Sequence, residues 1–229
     1  MKFIVLEGLD GAGKSTQIKA LGNYLEKRGI SQYYIHFPRT GSRIFGDLIA
    51  RYLRGEFGDI SQLDPYLVAL IYAGDRKDAA PDIIRHLENK DYVIVDRYVY
   101  SNIAYQCAKI KEKNSQNKLK GWILDLEYNY NQIPKPDVSL FLDVPFKFTS
   151  DKLSNQREGD DRDYLKGNTD IHEEDLDFQQ FVRTVYLDIA KEDKSLKIID
   201  CNNPNGDILQ PESIFKKIIS ILKSKNLLD

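Results

Sequence analysis

The sequence predicts a three-layer α/β/α sandwich around a central five-stranded parallel sheet, on three observations. First, five short runs, at residues 3–6, 33–37, 92–95, 138–142 and 196–199, are near-continuous Val, Ile, Leu, Phe and Tyr with little polar alternation. Strands buried on both faces read this way, and such strands belong to parallel sheets. Second, segments with apolar residues at helical spacing lie between the runs, which predicts βαβ units with right-handed crossovers. Third, a glycine-rich turn follows the first strand and opens the first helix, at the sheet edge where open α/β folds bind ligands.

After the strand at 3–6, Ile18, Leu21 and Leu25 mark a helix closed by Gly29. After the strand at 33–37, Ile44, Leu48 and Tyr52 mark a second helix closed by Gly55. Apolar helices are expected over 66–71 and 101–110. The lysine-rich stretch 109–120 reads as a solvated helix end and turn. Residues 155–169 are polar, contain two glycines and offer almost nothing to bury. A loop of that length in a compact domain reads as a lid, placed at about 155–172. No internal repeat or linker divides the chain, so residues 1–229 are expected to form a single domain.

Composition narrows the function classes. The 229 residues are 41% hydrophobic and 30% charged, enough apolar material for a core. The formal net charge of −2 gives no bulk attraction to nucleic acid. No apolar run approaches membrane-spanning length, and the short apolar start runs straight into a charged segment, so a cytoplasmic protein with no membrane or nucleic-acid partner is expected. Cys107 and Cys201, far apart and outside any CxxC pattern, read as reduced thiols.

The strongest motif is Gly8-Leu9-Asp10-Gly11-Ala12-Gly13-Lys14-Ser15-Thr16, which matches GxxxxGK[ST] between a strand and a helix. Glycines let the backbone turn its N–H groups inward toward phosphate oxygens, and the following helix adds its positive end. Lys14 would neutralise the β- and γ-phosphates of a nucleoside triphosphate, and the Ser15 hydroxyl would ligate Mg²⁺. The fold is therefore of the P-loop NTPase type. A GTPase switch would need DxxG beyond the loop and NKxD. The segments Asn89-Lys90-Asp91-Tyr92 and Asn117-Lys118-Leu119-Lys120 both lack the final aspartate.

A small-molecule kinase needs a second site for the acceptor, because its catalysis is mainly positioning and charge stabilisation. Arg39 and Arg97 stand just after strand ends and Arg76 on an expected helix, positions from which they could hold phosphate. Asp96 closes an apolar strand like a Walker B carboxylate and is a candidate Mg²⁺ ligand.

At this point the sequence resembles the thymidylate kinase family. The matching pieces are GLDGAGKST at 8–16, FPR at 37–39, GDR ending at Arg76, DRYVYSNIAYQ at 96–106 and the helical pattern from Asp170 onward. The resemblance implies transfer of the ATP γ-phosphate to dTMP, usually by a homodimer. It implies that Asp10 takes the sugar 3′-hydroxyl, that Phe37 and Tyr72 flank the thymine, and that Arg39 and Arg97 hold the dTMP phosphate. Arg76 and Asn102 would read the polar edge of the base, with Gln106 also near it. Tyr105 would pack against the deoxyribose, and His172 and Glu173 would close the site behind the lid. Some members carry an arginine within the phosphate loop, where this chain has Gly11. The resemblance then gives that charge to the lid, with Arg157 and Arg162 as the catalytic candidates beside Lys14 and Arg97, and Lys166 as a further cation.

Overall fold

The computed structural model describes residues 2–58, 63–89, 91–154, 164–165, 170, 172 and 175–228. Five strands form one parallel sheet: β1 (Lys2–Gly8), β2 (Gln32–His36), β3 (Tyr92–Asp96), β4 (Val138–Asp143) and β5 (Leu196–Asp200). Their order is β2-β3-β1-β4-β5. The chain thus fills one side of β1 and then crosses to the other, and the crevice opens past the carboxyl end of β1, where such a reversal of order places ligands.

The inner strands β1, β3 and β4 are buried almost throughout, as their unbroken apolar sequences require. The two edge strands depart from the expectation of burial on both faces. β2 alternates between exposed and half-buried positions, and β5 is only partly covered. An edge strand has one neighbour, and partial helix cover leaves part of it to solvent. On β2 the half-buried Tyr33 packs at the margin of the core and its ring stacks on His86, with centroids 3.9 Å apart.

The helices are α1 (Lys14–Glu26), α2 (Phe45–Leu53), α3 (Pro65–Glu88), α4 (Val99–Cys107), α5 (Lys113–Leu124), α6 (Phe146–Ser154), α7 (Leu176–Glu192) and α8 (Pro211–Ser224). α1 buries Ile18, Leu21 and Leu25, the residues whose spacing announces it. Ile44, expected to start the second helical stripe, lies just ahead of α2 and is 64% exposed. α2 instead packs Ile49, Tyr52 and Leu53 on Val68 of α3, a small satellite core that walls one side of the crevice. α3 starts on Pro65 with the Asp64 side chain accepting from Tyr66 N at 2.8 Å, a cap and first-turn proline in their favoured places.

All nine residues of α4 are buried within the one chain. On α3, Leu67 and Leu70 are exposed. The stretch expected to be a solvated turn is instead mostly α5. Glu112 caps it by accepting from Asn114 N and Ser115 N at 2.8 and 2.6 Å, and Leu119 and Ile123 anchor it in the core. The lysines around these anchors hid them, since one apolar contact per turn is enough to seat a helix whose other faces are wet. α5 runs on into a π-helical turn, Asp125–Tyr130, whose Glu127 is fully buried. Both cysteines are free and buried. Among the described residues no helix is long and apolar enough to cross a membrane.

Gly46 lies under the segment that carries Arg39. A Cβ there would come within 2.1 Å of the Arg39 carbonyl oxygen. Gly46→Ala is therefore expected to destabilise the protein by about 1–3 kcal/mol, the usual cost of overpacking, read as a lower urea midpoint at unchanged slope.

Candidate active site

The turn between β1 and α1 is shaped by glycine. Gly11 and Gly13 have φ of 76° and 82°, left-handed values that strain other L-residues. The loop delivers the first turn of α1, with Lys14 and Ser15, to the cavity wall, and helix N-termini favour anions. Lys14 is buried and folds back along the loop, donating to the carbonyls of Gly8 and Leu9 at 3.4 and 3.1 Å. A Cβ on Gly11 would sit 3.0 Å from Lys152 Cβ on α6. A side chain in that slot would have to displace Lys152 by a few tenths of an ångström and adopt a left-handed backbone.

Asp96 ends β3 opposite this loop. Its Oδ1 lies 4.0 Å from Lys14 Nζ and, though buried, accepts no hydrogen bond. Its Oδ2 lies 3.4 Å from His36 Nδ1. Burial pushes the Asp96 pKa up, but the Lys14 charge and the His36 contact outweigh it, and the net shift is down. An ionised carboxylate with an oxygen that accepts no hydrogen bond, in a cavity that Ser15 also lines, offers hard-oxygen donors suited to Mg²⁺.

Arg97 follows with φ 64°, an unusual value for a residue with a side chain. The turn is held by Glu7, the last charged residue of β1. Glu7 accepts from Tyr98 N at 3.0 Å, from Ser101 Oγ at 2.5 Å and from Tyr186 Oη at 2.9 Å. Burial raises its pKa, and these bonds offset only part of the rise. Arg97 Nη2 reaches Asp10 Oδ1 at 2.7 Å, and its guanidinium lies 5.1 Å from the Tyr105 ring centroid. Tyr105 Oη donates to the other Asp10 oxygen at 2.7 Å. Burial alone would lower the Arg97 pKa, but the Asp10 charge keeps it well above the ordinary value.

A cavity of about 410 Å³ runs from this corner under α3 and α4. It brings together Asp10, Lys14, Ser15, Phe37, Arg39, Tyr72, Arg76, Asp96, Arg97, Asn102, Tyr105, Gln106 and His172, all of them expected from the sequence. Arg39 is held by Asp75, which accepts from its N and Nε at 2.8 and 2.9 Å, and by Asp78, which accepts from Nη2 at 2.6 Å. Phe37 is 1% exposed and its ring centroid is 5.8 Å from that of Tyr98. Arg157, Arg162, Lys166 and Glu173 lie outside the described residues.

At the far end the side chains are tied to one another. Arg76 donates through Nε and Nη2 to Glu127 Oε1 at 2.9 and 2.5 Å, and Asn102 Nδ2 donates to the same oxygen at 3.2 Å. Gln106 Oε1 and Tyr52 Oη both accept from Lys109 Nζ at 2.7 Å, and Tyr52 Oη is 2.9 Å from His172 Nε2. Burial pushes the Lys109 ammonium down to about 7 and, with Lys109 beside it, drives the His172 imidazole well below its usual range.

Sequence reasoning missed Glu7, His36, Tyr52, Lys109 and Glu127. A charged residue directly after an apolar strand run was a usable signal for Glu7. Glu127 and Lys109 sit in stretches dominated by polar residues and gave none.

The chain matches the family model for thymidylate kinase over residues 6–211. It is similar to the thymidylate kinase of Mycobacterium tuberculosis, 34% identical over 188 residues, 82% of this chain and 85% of that protein. A probable thymidylate kinase of Thermococcus kodakarensis is 32% identical over 227 residues, 97% of each chain. Among solved structures, thymidylate kinase from Candida albicans superimposes with a TM-score of 0.70 at 26% identity, covering 99% of this chain and 92% of that one.

The Lys109 shift predicts a pH dependence. A lysine whose pKa falls from 10.5 to about 7 on folding binds fewer protons in the folded state between those values, so stability rises with pH across that window. Lys109→Met is expected to flatten the rise, seen as urea midpoints that no longer climb between pH 7 and pH 9.

Proposed function

The chain belongs to the thymidylate kinase family, and we propose that it transfers the γ-phosphate of ATP to the phosphate of dTMP, giving ADP and dTDP. The observation that carries this reading is one continuous cavity. The phosphate loop and Asp96 stand at one end, Arg97 at the middle, and paired amide, guanidinium and aromatic side chains at the other. A donor triphosphate and an acceptor monophosphate laid along it would meet beside Lys14 and Arg97.

In this reading residues 8–16 bind ATP, and Ser15 and Asp96 hold Mg²⁺. That ion would supply charge neutralisation on the phosphates. Among the described residues no cluster of three or more His, Cys, Asp or Glu could hold a metal, so the remaining oxygen ligands would come from phosphate and water. Arg97 and Arg39 hold the acceptor phosphate. Both are pre-oriented by carboxylates, which reduces the freedom lost on binding. Phe37 and Tyr72 flank the base, Arg76, Asn102 and Gln106 meet its edge, and Tyr105 packs on the sugar near Asp10. His172 and Glu173 close the far end. The acceptor phosphate is mostly ionised at neutral pH, with a second pKa of about 6, and it attacks in line without a general base. Lid arginines Arg157 and Arg162 supply the charge that Gly11 cannot.

The exposed pair Leu67 and Leu70 on α3 supports a homodimer built on that helix. A single catalytic domain spanning 1–229, without nucleic-acid partners and working in the cytoplasm, completes the reading.

A coupled ADP-release assay with Mg-ATP and dTMP, dUMP, dCMP, dGMP, AMP, UMP and thymidine tests the reaction. Strong preference for dTMP is expected, and preference for another acceptor would discard the thymine contacts. Arg157→Ala or Arg162→Ala should lower kcat by about 10³ or more, the scale of an arginine at a transferring phosphate, with little change in ATP affinity. Unchanged kcat in both variants would remove the lid from the mechanism.

A further inference from the structure

Glu127 has no place among the sequence motifs, yet it sits directly behind the base end of the cavity. It lies on the π-helical turn after α5, is fully buried, and receives both Arg76 and Asn102 on Oε1. Arg76 is 2% exposed. A cation buried to that degree needs a counter-charge, and among the described residues Glu127 makes its only ion pair. The pairing uses Nε and Nη2 and leaves Nη1 as the part of the fork for other acceptors.

Asn102 is constrained from the same side. Its Nδ2 donates to Glu127 and to the Ala69 carbonyl at 3.1 Å. Both partners only accept, so the amide cannot be turned round without losing both bonds. Its Oδ1 is left buried, 3% of the residue being exposed, with no hydrogen-bond partner. A buried acceptor of this kind is costly unless something donates to it. Beside it stands a guanidinium that can only donate.

An acceptor beside a donor is the complement of an imide edge, a ring N–H next to a carbonyl. Thymine and uracil present that edge. Cytosine presents the reverse, a ring nitrogen that accepts next to an amino group that donates. We infer that Glu127 is a positioning residue for base recognition. It holds Arg76 as a donor and helps to hold Asn102 as an acceptor, so that the site favours imide bases over cytosine. The inference rests on the reading that Arg76 and Asn102 meet the acceptor base.

The test is steady-state kinetics of Glu127→Leu and Glu127→Gln with dTMP, dUMP and dCMP at saturating Mg-ATP. In Glu127→Leu the dTMP KM is expected to rise about tenfold, the effect of a lost charge-assisted hydrogen bond, with kcat within about threefold. The preference for dTMP over dCMP should fall by a similar factor, while the preference for dTMP over dUMP stays the same, because both bases carry the imide. Glu127→Gln keeps an acceptor oxygen without the charge and should lose about threefold. If Glu127→Leu does not fold, the glutamine variant decides alone. A dTMP:dCMP preference within the error of the parent enzyme's overturns the inference. So does a loss of turnover equal for all three acceptors, which would mark a merely structural role. A parent enzyme that does not use dTMP would sink the functional reading and this inference together, whereas normal dTMP turnover with an unmoved preference sinks the inference alone.

Discussion

The site depends on one buried carboxylate. Glu7 is the last side chain of β1 before the phosphate loop, and it has no access to solvent. A charge in that position must collect donors, and it takes them from the β3–α4 turn, from Ser101 on α4 and from Tyr186 on α7. Two segments far apart in sequence, the start of α4 with the turn before it and α7, are thereby fixed around the end of the central strand. The turn so held carries Arg97 in a left-handed conformation that its own backbone would not choose. Arg97 in turn orients Asp10 within the phosphate loop. The donor side and the acceptor side of the cavity are thus referenced to the same atom group.

The same device recurs along the cavity. Arg39 is set by Asp75 and Asp78, Arg76 by Glu127, and the Gln106 amide by Lys109. Each of these polar side chains has a partner of opposite demand behind it. Such pairs add little to net stability once desolvation is counted. Their effect is to hold planar groups in one orientation before substrate arrives, which is the condition for catalysis by positioning. Asp96 Oδ1 and Asn102 Oδ1, like Glu127 Oε2 and Gln179 Oε1, are buried oxygens that accept no hydrogen bond.

Several elements were legible in the residues alone. The strand runs appeared within one or two residues of their true ends, and the GxxxxGK[ST] loop announced its own geometry because glycine is required where φ is positive. The DR pair at 96–97 could be placed at a strand end from four apolar neighbours. Other features were not legible. Leu119 and Ile123 seat α5 although lysine surrounds them, since burial is decided by which face meets the core and not by average composition. The exposure of β2 could not be read from Tyr33, Tyr34 and Ile35, because only the strand order makes it an edge.

By itself the sequence determined the layered fold and the phosphate loop, which are local matters of periodicity, of short spacing and of the few residues that tolerate a tight turn. Most of the side chains that converge beyond the strand ends were named only by the resemblance to the thymidylate kinase family. Only the tertiary structure decided what stands behind each of those side chains. Arg76 and Glu127 are 51 positions apart, Tyr52 and His172 are 120, and Glu7 and Tyr186 are 179. Whether a buried charge or amide is oriented, neutralised or left open depends on its neighbours in space, and no local pattern in the chain records them.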